Sequence, residues 1–300
     1  AKAGFLGRVA AWLAGCPHVV HTFHGHVLEG YFSPLVNGMI RGVERTLGKL
    51  SDALLTVSQQ QASELSERFG VAPAEKFRVV PLGIDVDPYL DLELPNFSAP
   101  ELRLVWLGRF VPIKNVTLLL RVAELAQMRS LPVNFTLAGA GPEEGAIRQF
   151  VQERQLANVT LLPWQDDIRP VLQSSHALIM TSHREGTPLS LIQGMAAGRP
   201  FLSTAAGGTV DLAVGLPRLR RDSWWYENAV IVSPRPEAFV NVIEELARGR
   251  ATLASMGRKS QEFATSRFTD TRLTADIASL YRGLLGDTAR TPSVPERLAT

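Results

Sequence analysis

The sequence predicts an α/β protein made of parallel sheets in two units. Three observations carry that prediction. Strand-like apolar runs alternate with helix-like stretches along most of the chain. The strands, for example residues 102–107 and 177–180, are continuous apolar runs, as expected where helices cover both faces of a sheet. The pattern dissolves once, from Val86 to Pro100, where Pro88, Pro95, Pro100 and scattered acids mark a linker.

The elements follow in order. Residues 4–14 place Phe5, Val9 and Trp12 or Leu13 on one side of a helix, and Gly15-Cys16-Pro17 ends it. Residues 19–23 read as a strand with His24-Gly25-His26 at its C-terminal end. Ser33-Pro34 opens a helix to about residue 50, with Arg41, Arg45 and Lys49 on its polar side. A strand at 53–57 precedes a polar helix capped by Ser58 and stopped at Gly70. A strand at 77–80 and a turn at 81–85 complete the first half. In the second half, strands at 102–107, 133–138, 159–162, 177–181, 201–204 and 229–232 alternate with helices. These helices fall at 115–128, 143–155, 168–172, after Pro188 and near 209–214. Helices at 237–247, 253–264 and 272–285 follow, and the tail from 287 is expected to be disordered.

At 300 residues the chain can bury two cores. A hydrophobic content of 45% with 20% charge is that of an ordinary globular protein. The net charge of +2 gives no argument for a nucleic-acid partner. Cys16 is the single cysteine, so no internal disulfide forms. No apolar run reaches the length of a membrane span, and the first residues show no signal-peptide pattern.

In parallel sheets, ligands bind beyond the carboxyl ends of the strands. That rule selects the loops after Leu107, Ala138, Leu162, Met180 and Thr204. After Met180 comes Ser182-His183-Arg184-Glu185-Gly186-Thr187-Pro188-Leu189-Ser190. Thr187 is placed to cap the next helix and Pro188 suits its first position, leaving the N–H groups of Leu189 and Ser190 for an anion. The stretch reads equally well as a plain strand–loop–helix corner with an exposed Glu185. After Leu107, Gly108 permits close backbone approach, Arg109 offers a planar fork for phosphate, and Lys114 adds a point charge. Arg109 and Lys114 also read as solvated cations. Gly139-Ala140-Gly141 and Gly207-Gly208 are permissive turns, and Asp167 beside Trp164-Gln165-Asp166 reads as a helix cap. His24 and His26 lack the companions that would strengthen a zinc reading; they suit hydrogen bonding to a hydroxyl or phosphate and read equally well as solvated loop histidines. No nucleophile elbow or P-loop is present.

Taken together, the loops resemble the retaining glycosyltransferases of family 4, which have the GT-B fold. The resemblance rests on His24-Gly25-His26, Pro81-Leu82-Gly83-Ile84-Asp85, Gly108-Arg109 with Lys114, and Ala138-Gly139-Ala140-Gly141-Pro142. It continues in Glu185-Gly186-Thr187-Pro188-Leu189, in Gly194-Met195-Ala196-Ala197-Gly198-Arg199-Pro200 and in Gly207-Gly208. It implies two Rossmann-like domains with an active site in the cleft between them. The implied division is an acceptor-side domain at 1–87, a linker at 88–100, a nucleotide-sugar domain at 101–270, a helix at 271–286 returning to the first domain, and a disordered tail at 287–300.

The resemblance also implies roles. Glu185, His24 and His26 would be the catalytic residues, facing the donor sugar. Gly108, Arg109, Lys114, Thr187, Leu189 and Ser190 would bind the donor diphosphate; Gln193, Trp164 and Gly139 would bind the nucleoside. Gln193 stands where the family usually has a second glutamate that holds the ribose. No metal or other cofactor is implied, because cationic side chains would take the place of a metal. The partners would be a UDP- or GDP-linked sugar and a glycan, lipid-linked or small-molecule acceptor. A cytoplasmic location is implied, with contact between the basic face at Arg41, Arg45 and Lys49 and the inner membrane as one option and a plain solvated face as the other. The function implied is that of an enzyme, a glycosyltransferase that moves the donor sugar with retention; family members carry strands and a Gly-rich loop ahead of the Ala3-Gly4-Phe5 helix, so the first domain is expected to be truncated, and loss of transfer in so shortened a chain stays open. A non-catalytic nucleotide-sugar binder is the alternative; a sugar-nucleotide epimerase is the third reading, disfavoured by the Glu185–Gly198 series.

Overall fold

The computed structural model describes residues 2–25, 28 and 33–286, without the side chain of residue 250. His26 and the tail expected to be disordered lie outside the described residues.

The N-terminal part runs α1 (Lys2–Leu13), β1 (Val20–Phe23), α2 (Pro34–Lys49), β2 (Ala53–Thr56), α3 (Gln59–Ser63) and β3 (Phe77–Val79). Ser33 caps α2 and Ser58 caps α3, each accepting a backbone N–H three residues on, as a short polar side chain at a helix start should. A π-helical turn, Glu64–Arg68, continues α3. The three strands form one parallel sheet in the order β1-β2-β3. Its core is a single cluster around Phe23, Leu54, Leu65, Phe69 and Phe77.

The C-terminal part begins after the short helix α4 (Asp87–Leu90). It runs β4 (Leu102–Arg109), α5 (Val116–Met128), β5 (Val133–Ala140), α6 (Glu144–Glu153), β6 (Val159–Leu162), α7 (Arg169–Gln173), β7 (Ala177–Met180), α8 (Leu189–Ala196) and β8 (Phe201–Ser203). Then come β9 (Arg218–Arg220), β10 (Ser223–Trp225), β11 (Ala229–Val232), α9 (Pro236–Arg248), α10 (Arg250–Arg267) and α11 (Asp270–Leu284). The sheet order is β6-β5-β4-β7-β8-β11-β10-β9. Two apolar cores lie on it, one including Leu104, Phe135 and Phe239, the other Val105, Leu178 and Ile192. Leu104 and Val105 are adjacent on one strand, so the alternation of side chains places these clusters on opposite faces.

Three features depart from the sequence reading. The sheet is not wholly parallel, because β9, β10 and β11 pair antiparallel at its edge. The linker is not patternless: Tyr89 and Leu92 pack on the second core and Phe97 on the first. Buried Arg199 ties this segment down, its guanidinium donating to the carbonyls of Glu93 and Leu172 at 2.9 and 3.0 Å. Finally, the polar side of α2 is not a free basic face. Arg45 donates to the Phe69 carbonyl at 2.9 Å and Arg41 donates to Leu28 and covers the Phe69 ring.

The chain crosses between the two sheets beside Ile84, which bridges to Thr269. At the start of α11, Arg272 donates to the carbonyls of Pro81 and Leu82 at 2.6 and 2.8 Å. Residues of α11, among them Asp276 and Leu280, line a depression with Arg78 and Val79 of β3.

Candidate active site

From β4 the chain moves outward to β5 and β6, then returns to place β7 on the other side of β4. Strand order therefore reverses between β4 and β7, and their carboxyl ends open the crevice where such sheets hold ligands. The two loops there are tied together. His183 N–H donates to the Ile113 carbonyl at 2.8 Å and the Thr181 hydroxyl donates to the Asn115 carbonyl at 3.0 Å. Asn115 holds a left-handed backbone, φ 47°, which lets the 3-10 turn of Lys114 pass directly into α5.

These ties set Lys114 Nζ 2.6 Å from Glu185 Oε1, with the carboxylate side chain 9% exposed. The pair explains why a lysine is tolerated at a helix start, where the helix dipole opposes it. Ser182, itself buried, donates its hydroxyl to the same Oε1 at 2.5 Å. The Thr204 hydroxyl in turn donates to the Ser182 carbonyl at 2.6 Å. Ser182 and Thr204 thus hold the Glu185 loop from behind, roles that no sequence pattern assigned.

Two cavities meet at Lys114. The larger, about 400 Å³, is walled by Arg109, Leu189, Ser190, Trp164, Gln193 and Tyr89, with Gly108 and Ala138 at its base. The first N–H groups of α8 precede its first intrahelical bond and are oriented for an anion. Gln193 lies one turn further along α8, and its Nε2 donates to the Tyr89 hydroxyl at 2.7 Å. Burial, ahead of its other neighbours, raises the Tyr89 phenol above its ordinary range. The smaller cavity, about 240 Å³, is walled by His24 and Gly25 at the end of β1, Gln61 and Glu64 of the N-terminal part, and Lys114, Arg184 and Glu185. Its floor is tight: a Cβ on Gly186 would stand 2.5 Å from the His24 carbonyl oxygen.

The sequence-predicted residues therefore divide. Gly108, Arg109, Lys114, Leu189, Ser190, Gln193 and Trp164 share the larger cavity. His24 and Glu185 share the smaller one, and His26 is outside the described residues. Thr187 belongs to neither. Pro188, not Thr187, is the N-cap of α8, and the Thr187 hydroxyl reaches across to the Val57 carbonyl at 3.2 Å. Gly139 also lies outside both cavities. A side chain there would meet the Gly108 carbonyl oxygen at 2.0 Å, so glycine at this position lets β4 and β5 close.

A parallel sheet with its crevice at the strand reversal, facing a second Rossmann-like sheet across a cleft, defines a GT-B architecture. The family model for glycosyl transferases group 1 matches residues 101–249, and that for Glycosyltransferase Family 4 matches residues 1–88. The chain belongs to glycosyltransferase family 4. It is 26% identical over 219 residues to the UDP-Gal:alpha-D-GlcNAc-diphosphoundecaprenol alpha-1,3-galactosyltransferase of Escherichia coli, a match covering 69% of this chain and 56% of that relative. It is 30% identical over 231 residues to the putative glycosyltransferase EpsF of Bacillus subtilis, covering 72% of this chain and 58% of that relative. The chain thus spans somewhat more than half the length of these two relatives. The structure of Anabaena HepE in complex with UDP superposes with a TM-score of 0.77 at 20% identity, covering 94% of this chain and 76% of that one. Among the described residues no helix is long and apolar enough to cross a membrane.

Proposed function

We propose that this protein transfers a glycosyl group from a UDP- or GDP-linked sugar to a glycan, lipid-linked or small-molecule acceptor, with retention at the anomeric carbon. The observation that carries the reading is the meeting of the two cavities at the Lys114–Glu185 pair. The larger is suited to a nucleoside diphosphate. Arg109, Lys114 and the N–H groups of Leu189 and Ser190 would bind the two phosphates and stabilise the charge that develops on them as the sugar leaves. Side chains and a helix tip supply this positive field, so the proposal calls for no metal. The sugar would then project past Lys114 into the smaller cavity, where Glu185 accepts hydrogen bonds from its hydroxyls and His24 faces it. The carboxylate is held by Ser182 and is assigned no covalent role. The acceptor would enter from the N-terminal side of the cleft.

Calorimetry with UDP and GDP tests the donor assignment. Arg109→Ala is expected to weaken the preferred nucleotide by tenfold or more, the order expected for losing a charged hydrogen bond. Equal affinity in both proteins would remove the phosphate role. Glu185→Ala is expected to keep nucleotide affinity within severalfold while ending release of nucleotide from the matching sugar donor. A wild type that binds nucleotide but never turns over a donor would favour the binder reading instead.

We also infer a peripheral lipid contact, on α1 and α2 rather than on the arginines of α2. Trp12 and Leu13 of α1 and Leu35 and Met39 of α2 are more than half exposed. The two helices carry no exposed acid, since their one carboxylate, Glu44, is buried against Arg8 at 2.7 Å. An apolar face without negative charge suits an anionic bilayer surface. Co-sedimentation with phosphatidylglycerol vesicles is expected, and L35E combined with M39E is expected to abolish it; unchanged sedimentation would exclude this face.

A further inference from the structure

Far from the two cavities, the eight-stranded sheet ends at β9, and among the described residues no strand pairs with its outer side. The turn Arg221-Asp222, with Arg221 at φ 49°, joins β9 to β10. Arg220 stands opposite Ser223, and Leu219 opposite Trp224. In an antiparallel pair, residues bonded to the partner strand alternate with residues whose N–H and C=O point away. The pair next to a two-residue turn is the bonded one, so Leu219 turns its backbone groups outward. Pro217 has no N–H and ends the usable edge on one side. An open edge of this kind is a template for another strand.

The two faces of the edge differ in chemistry. Leu219 and Trp224 face the same way and are 66% and 40% exposed, and Leu216, just ahead of the strand, is 90% exposed. One exposed leucine is ordinary; three large apolar side chains beside an unpaired strand call for an occupant. Arg218 and Arg220 stand on the opposite face. On that side a groove of about 590 Å³ lies between the hairpin and α9. Its carboxylates are already engaged, Glu245 by Arg220, Glu244 by Arg248 and Asp222 by Arg235. Arg218 and Arg221 have no ion-pair partner among the described residues. The edge is therefore apolar on one face and carries uncompensated positive charge on the other.

A second copy of the chain fits this edge badly. Two β9 strands related by a twofold axis at Leu219 would set Arg218 of each against Arg220 of the other, and like charges directly opposite destabilise a strand pair. A segment with one apolar residue between two acids fits well. Its apolar side chain would join Leu219 and Trp224, and its carboxylates would face the arginines. We propose that β9 is a docking edge for an extended acidic segment of a partner protein, of the pattern acid–apolar–acid, which adds to the sheet as a further strand. Because β9 is three residues long, the contact is small and its affinity modest.

The test is binding by the full chain of short labelled peptides that alternate glutamate with valine, lysine with valine, or glutamate with serine. The glutamate–valine peptide is expected to bind, and the other two about tenfold more weakly or worse. Added salt is expected to weaken it severalfold. In its presence hydrogen exchange is expected to slow at Leu219, whose N–H becomes bonded. Leu219→Glu is expected to weaken the peptide about tenfold, as is Arg218→Glu combined with Arg221→Glu. Both variants are expected to keep nucleotide affinity within about twofold, because the edge is remote from the cavities. No binding of the glutamate–valine peptide, or binding that leaves exchange at Leu219 unchanged, would overturn the proposal. Equal binding of the lysine–valine or glutamate–serine peptide would overturn the pattern assigned to the partner. A dimer in sedimentation velocity that Leu219→Glu dissociates would overturn it too, since the edge would then belong to a second copy.

Discussion

The two sheets of this protein obey one rule, a parallel strand followed by a crossover helix, yet they are secured very differently. The C-terminal sheet is covered on both faces, with Leu104, Phe135 and Phe239 on one side and Leu178 and Ile192 on the other. The N-terminal sheet has three strands and one apolar cluster, and its helices α1 and α2 turn Leu13, Leu35 and Met39 outward. What the small sheet lacks in core it draws partly from its neighbour. Asp211 of the C-terminal part accepts from Gln60 N–H at 3.0 Å, Thr187 donates to Val57, and Arg272 holds Pro81 and Leu82. The difference bears on function because one wall of the cleft is rigid by its own packing, whereas the wall with His24 depends on contacts across the cleft.

The largest effect should come from cutting one hole in each of the two cores. Leu65 and Phe239 are both fully buried. Truncation to alanine typically costs about 2–5 kcal/mol for a leucine and 3–5 for a phenylalanine. Leu65→Ala is expected to abolish protection of β1–β3 in segment-resolved hydrogen exchange while the eight-stranded sheet stays protected. Phe239→Ala is expected to lower the C-terminal sheet's protection yet leave it folded. Loss of both sheets together in Leu65→Ala would mean that the chain unfolds as one cooperative body, and the contrast would disappear.

The same contrast governed what could be read from sequence. Long apolar strands at 102–109 and 133–140 announce themselves, because a strand covered on both faces needs little polar residue. The hairpin of β9 and β10 did not, since Arg218-Leu219-Arg220 is exposed throughout and has no apolar run to detect. The cations and helix tip of the larger cavity followed from the strand-end rule. Tyr89 escaped because it lies in a proline-rich stretch whose order comes from tertiary packing and the carbonyl grip of Arg199, neither visible as local periodicity. Thr187 and Gly139 fell in the right loops, but which way a hydroxyl turns, or which carbonyl crowds a glycine, depends on partners far along the chain.

A smaller effect is expected at the polar tie. Asp211 places its carboxylate at the start of α3, where it satisfies a free N–H and suits the positive end of the helix dipole. Removal of such a cap costs about 0.5–2 kcal/mol. Asp211→Ala should therefore raise hydrogen exchange across α3 and β2 and leave β4–β8 unaltered. If exchange slows instead, or changes equally in both sheets, the carboxylate is not supporting the weaker wall.

The smallest predicted effect is one of pH, and it too belongs to the N-terminal sheet. His21 on β1 packs edge-on against Phe23, ring centroids 4.5 Å apart. Burial first, then the Arg8 guanidinium and His24, lower its pKa to about 4 from an unfolded value near 6.5. Between those two values the unfolded chain takes up a proton that the folded sheet does not, so acid favours unfolding there. The stability tied to the neutral ring is fully present above about pH 6.5, declines as pH falls toward 4, and changes no further below it. Because the ring is partly solvated, the loss should be well under what the full shift would imply. Urea midpoints of the N-terminal sheet should thus fall from pH 7 to pH 5, and His21→Phe, which keeps the aromatic contact without the proton site, should flatten that slope. A His21→Phe protein with the wild-type slope would assign the acid sensitivity to other groups.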